Sequence, residues 1–202
     1  MRWKEFAVRE ARQTLAEWAQ KFMPLSLPVP VEDIADLLYE LAIDTTKSLP
    51  PNMVGRLYVS DRIIEVRQDD IPPRQRFTVA HEIGHYRMHV VAENMQMNGH
   101  LCSAASVALN DEQNNLALPG FESSPATAQR LSPIDARRIE VEANTFAAEL
   151  LMPAILIEQA IEESGRDVRL LAQMFNVSQQ AMQYRLEKLF YLPPPGPQMT
   201  LF

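Results

Sequence analysis

Cysteine is all but missing from this sequence: Cys102 is the only one in 202 residues. No internal disulfide can form, and a lone thiol suits a reducing compartment. Long apolar runs are missing as well. The opening Met1-Arg2-Trp3-Lys4-Glu5-Phe6 lacks the apolar stretch of a signal peptide. The greasiest region, 146–157, is interrupted by Glu149 and Pro153, so no membrane span is expected. Positive charge is not in excess either. Nineteen basic and 26 acidic residues leave a formal charge of −7, which argues against coating duplex DNA through bulk electrostatics. The balance is uneven, since residues 31–71 carry four basic and nine acidic groups and residues 1–30 carry five and three. A local nucleic-acid surface therefore stays open. No internal repeat of useful length is present. What remains is an ordinary globular mixture, 47% apolar and 22% charged, long enough to bury a core without disulfide staples. The expectation is a soluble cytoplasmic protein with no membrane partner.

Apolar positions Phe6, Ala7, Ala11, Leu15, Trp18 and Phe22 recur at helical spacing and predict a first helix over 3–22. Pro24, Pro28 and Pro30 break it, and a second helix follows at 31–41. Strand-like runs at 43–46, 54–60 and 62–67 come next, with Asp61 in a tight hairpin between the last two. Pro72-Pro73 opens a long helix to about Val91. Residues 92–132 are the least regular part and read as a functional or mobile segment. Helical periodicity returns over 133–152, and three shorter helices follow, ending near Phe190. The tail 193–202 is Pro-rich, cannot be helical, and is expected to be extended or disordered.

The chemistry is concentrated in His81-Glu82-Ile83-Gly84-His85. On a helix, residues four apart project from nearly the same face, so His81 and His85 can grip one metal ion. Glu82 flanks them and can reach a water rather than the metal. This is the HExxH zinc-peptidase arrangement: the metal acidifies a water, and Glu82 takes its proton as the oxygen attacks a carbonyl. With 4 His and 17 Glu in the chain, random placement gives roughly 0.007 matches to the pattern.

A third ligand is required. His89 continues the series but lies about 12 Å along a straight helix from His81, so it reads as a surface residue or a support behind the ligands. His100 stands in the irregular segment. The better candidates are Glu140 and Glu142 on the next strong helix. Glu140, Asn144 and Ala147 share a face there, with small Ala residues permitting close approach to the HExxH helix. Glu140 is favoured as the ligand, with Asn144 orienting a histidine from behind.

The pair of motifs, Arg76-Phe-Thr-Val-Ala-His81-Glu-Ile-Gly-His85 and Glu140-x-x-Ala-Asn144-x-Phe-Ala-Ala-Glu-Leu-Leu-Met-Pro153, resembles the ImmA/IrrE family of zinc metallopeptidases over about residues 30–190. The resemblance implies zinc held by His81, His85 and Glu140, with Glu82 as base. It implies a substrate class too, helix-turn-helix repressors encoded nearby, whose cleavage switches on phage, stress or defence genes. The fold expected is α+β and zincin-like: a small twisted sheet near 43–67, covered by helices 72–91 and 133–152, in a mostly helical chain. The peptidase domain is placed over 1–160, with a helix-turn-helix-like appendage over 161–192. No sensor domain of the kind some members carry is expected.

In that appendage Ser178 makes a good N-cap after a short turn. Gln179, Gln180, Gln183 and Arg185 are expected to face outward, where they could touch bases; packing or substrate docking is the plainer role. Cys102 reads either as a small hydrophobe or as a latent zinc ligand occupying the position that water needs, much as in the cysteine switch of matrix metalloprotease pro-segments. Single-stranded DNA, drawn to Arg74, Arg76, Arg87, Arg130, Arg137 and Arg138, is the activator considered for releasing it, and thiol oxidation is the rival. Tyr86 and Tyr184 are weak candidates for oxyanion support. Two alternative functions stand beside the peptidase: a DNA-binding regulator with a structural or vestigial metal site, and a toxin-like interaction protein.

Overall fold

The computed structural model describes residues 2–22, 24–94, 100–103 and 133–193. Helix α1 (Arg2–Lys21) buries the stripe Ala7, Ala11, Thr14, Leu15 and Trp18 and packs along the later helix α4 (Pro133–Leu151). The stripe repeats every three to four residues, as a core-facing helix requires. After the proline break, α2 (Val31–Asp33) passes into π-helical turns over Ile34–Leu38. Four strands then build one sheet in the order β1-β3-β2-β4. β1 (Ala42–Thr46) lies parallel to β3 (Ile63–Arg67), and β2 (Met53–Tyr58) lies antiparallel to both β3 and β4 (His100–Ser103). The expected hairpin forms between β2 and β3, turning at Val59–Arg62, with Arg62 at a φ of 55°.

β4 is a finding the sequence did not lead us to expect. It lies inside the segment read as irregular, and its pairing with β2 shifts register between Met53 and Gly55. This bulge kinks β2 beside the helix that carries the motif. Gly55, Leu57, Ile64 and Val66 present a buried face to that helix, α3 (Pro72–Gly84). α3 does not run on as a regular α-helix. From His85 to Ala92 its turns are π-helical, a form that tends to occur at functional sites and that apolar periodicity cannot distinguish from α.

α4 crosses α3 closely at Gly84. A Cβ there would lie 3.1 Å from the Phe146 ring and 3.3 Å from the Ala143 Cα, so glycine and alanine together set the spacing. Three helices complete the fold: α5 (Ala154–Ser164), α6 (Val168–Phe175) and α7 (Gln179–Lys188). Asp167 caps α6 by accepting from the Arg169 and Leu170 amides. Asn176 closes it in the left-handed region, and Ser178 caps α7 by accepting from Ala181 N at 3.1 Å. These are the turn and cap expected of a helix-turn-helix-like pair. No helix among the described residues is long and apolar enough to cross a membrane.

Two charge clusters bind the outer helices to this frame. Glu149, buried in the α4 run, accepts from Arg12 of α1 at 2.8 Å and from Arg185 of α7. Arg185 also donates to the Met152 carbonyl just past the end of α4 at 3.0 Å. Gln179, Gln180 and Gln183 are exposed as expected, but Arg185 is turned inward. A carboxylate inside an apolar segment needs a cation more than a solvent-facing arginine needs water. In the second cluster Arg87, on the π-helical turns, donates to Glu10 and Glu17 of α1 and to the Tyr39 hydroxyl.

Candidate metal centre

His81 and His85 leave the same face of the α3 segment. Both are fully buried, and their Nε2 atoms lie 2.9 Å apart. α4 brings Glu140 against them. Its Oε2 is 3.4 Å from His81 Nε2, and its Oε1 is 3.4 Å from His85 Nε2. One ligand atom from each of the three residues fits within 4.8 Å of the others. Two ligands each about 2.0–2.2 Å from a tetrahedral zinc stand roughly 3.4 Å apart, so the spacing suits such an ion. Two imidazoles and a carboxylate leave a fourth position open, as a catalytic site requires. Glu140 retains 12% exposure of its side chain, whereas both histidines retain none, so the site faces outward on the Glu140 side.

Asn144, one turn beyond Glu140, stands with its Oδ1 2.9 Å from His81 Nδ1. An amide oxygen only accepts, so His81 carries its proton on Nδ1 and turns the Nε2 lone pair inward. Glu82 is fully buried between α3 and β2. A Cβ on Gly55 would fall 2.9 Å from its Oε1 and 2.4 Å from the Thr78 Cγ2. Glycine at that point of β2 is what lets the helix lie close enough to seat the carboxylate. A glycine inside a strand signals close approach, and that sign was available in the sequence.

Other candidates fall elsewhere. His89 is not a surface residue: it is fully buried and lies against His85, with ring centroids 5.2 Å apart. Glu142 is 1% exposed and meets His89, not His81 or His85. The Tyr86 hydroxyl accepts from Arg62 at 3.1 Å, and the Lys188 ammonium lies over the Tyr184 ring. Among the arginines considered for single-stranded DNA, Arg76 pairs with Glu32, Arg87 with Glu10 and Glu17, and Arg138 with Glu93. Bonding to Glu93 raises the Arg138 pKa. Arg130 lies outside the described residues. The backbone of Cys102 pairs with Gly55 across the sheet; the Cys102 and His100 side chains lie outside the described residues, as does most of the segment 92–132.

Among solved structures, the chain is similar to a Mycobacterium tuberculosis transcriptional regulator, at 16% identity with a TM-score of 0.57. The likeness covers 89% of this chain and 46% of that one, so this chain spans less than half of that structure's length. At this identity the likeness speaks to fold alone. No curated protein matches the sequence. Residues 40–187 match the peptidase family described as the IrrE N-terminal-like domain. That span begins after α1 and takes in His81, Glu82, His85 and Glu140 together, and by it the chain belongs to the IrrE N-terminal-like family of metal-dependent peptidases.

Proposed function

We propose that this chain is a zinc-dependent endopeptidase acting in the cytoplasm on a helix-turn-helix transcriptional repressor. The observation that carries the proposal is the convergence of His81, His85 and Glu140 beside a buried Glu82 in the same helical turn. When bound, zinc supplies Lewis acidity, which makes water a stronger acid and polarises a carbonyl. His81, His85 and Glu140 hold the ion. Asn144 fixes the ring of His81. Glu82 takes the proton from the attacking water and returns it to the departing amine. A structural metal site has no need of a base at that position, and Arg185 is engaged by Glu149 rather than free for bases. Both points favour the peptidase over a DNA-binding regulator.

The proposal includes a brake. Cys102 serves as a latent zinc ligand, and single-stranded DNA arising from DNA damage serves as the releasing signal. Support comes from the pairing of Cys102 with Gly55, the residue against which Glu82 rests. Cys102→Ser should cleave without inducer; a variant as tightly controlled as wild type removes the brake. The main test is incubation of the zinc-loaded chain with the repressor encoded beside it. Glu140→Ala should lose zinc. Glu82→Gln should keep zinc and lose cleavage, since it removes the base and spares the ligands.

A further inference from the structure

The two motif histidines are supported differently. Behind His81 stands Asn144. Behind His85 stands a second histidine: His85 Nδ1 lies 3.1 Å from His89 Nδ1, and His89 Nε2 lies 2.9 Å from Glu142 Oε2. None of the three side chains is more than 1% exposed. Arg138, one turn before Glu142, holds its Nη1 3.8 Å from Glu142 Oε1. His89 and Glu142 are ionisable, buried and not part of the ligand set.

Where the protons sit follows from the partners. A carboxylate only accepts, so the proton of neutral His89 is on Nε2, donated to Glu142. His89 Nδ1 is then a lone pair and can only accept. The proton of His85 is therefore on Nδ1, donated to His89, and its Nε2 lone pair is left facing His81 and Glu140. An imidazole without such partners moves between its two tautomers, and in one of them Nε2 cannot ligate a metal.

We propose that His89 and Glu142 are positioning residues that lock His85 into its Nδ1–H tautomer and aim its Nε2 at the metal. The proposal rests on the metal-site assignment of His81, His85 and Glu140. The π-helical turns that begin at His85 are the local geometry in which the two rings meet. Removing supports of this kind weakens metal binding by about 10- to 100-fold.

The test uses the full chain, with zinc affinity read by competition against a chromophoric chelator and the His85 tautomer read from ring ¹⁵N shifts of the metal-free protein. His89→Leu should weaken zinc binding by about 10- to 100-fold and release the His85 tautomer. His89→Gln can accept through its amide oxygen and donate through its amide nitrogen, so it should restore much of the affinity. Because His89→Leu leaves a buried carboxylate behind, the double variant His89→Leu/Glu142→Leu, apolar at both positions, guards against simple misfolding. It should fold, lose the tautomer preference and bind zinc as weakly as His89→Leu. A double variant that binds zinc as tightly as wild type overturns the proposal and leaves the metal assignment standing, as does His89→Gln performing no better than His89→Leu. A wild-type chain that takes up no zinc overturns the metal assignment, and this proposal with it.

Discussion

Glu82 is seated by a residue on another element, Gly55 of β2. A methyl group there has to displace the Thr78 Cγ2, 2.4 Å away, and that atom is on a branched side chain close to the α3 backbone. The helix itself must then move. Gly55→Ala should cost about 1–3 kcal/mol of stability through overpacking and should shift Glu82 off its position. Thermal unfolding and turnover are expected to fall together, and an alanine variant normal in both would mean that α3 is not held against β2 at this point. Glu149 offers a second test at this scale. Removing its carboxylate leaves Arg185 half-enclosed without its partner, so Glu149→Ala should destabilise by about 3 kcal/mol, measured by denaturant unfolding.

Among the elements, α1, α2 and the π-helical turns after it lie ahead of the family match, and α1 grips both α4, which carries Glu140, and the turns that continue α3. Burial alone would depress the Arg87 pKa; the bonds it donates to Glu17 and Tyr39 outweigh it and hold the pKa above its ordinary value. The Arg87 bond in turn holds the Glu17 carboxyl below its usual 4.5. A carboxyl with a lowered native pKa stabilises the fold above its unfolded pKa and stops doing so as pH falls through the native one. Glu17→Gln should therefore melt lower than wild type at neutral pH. The gap should close as the solution is acidified below pH 4.5. A gap that persists unchanged in acid would mean that packing, not charge, joins α1 to these turns.

The HExxH helix was legible because its three residues fall within one run of five and obey one helical rule. Glu140 was legible because an open coordination position demanded a carboxylate on the next strong helix. His89 was legible only in part: a straight helix puts it too far from His81 to share an ion, which left a surface residue or a support behind the ligands, and its full burial against His85 excludes the first. The π-helical turns and β4 leave no periodic mark that a pattern of apolar residues could reveal. The inward turn of Arg185 could have been found, since Glu149 inside an apolar run had to have a partner.

For the molecule as a whole, sheet and helices hold His81, His85 and Glu140 together beside the buried Glu82, and helices α1 and α7 brace the arrangement through Glu149 and Arg87. Such a frame supports hydrolysis of a peptide bond only if Glu82 moves the proton. The most direct measurement is mass spectrometry of the repressor after incubation with the zinc-loaded chain, run beside Glu82→Gln shown to hold the same amount of zinc. The expected result is two fragments whose masses sum to the repressor plus one water, formed by wild type and absent with Glu82→Gln. Equal cleavage by both proteins, or a repressor left intact by wild type with and without single-stranded DNA, would contradict it.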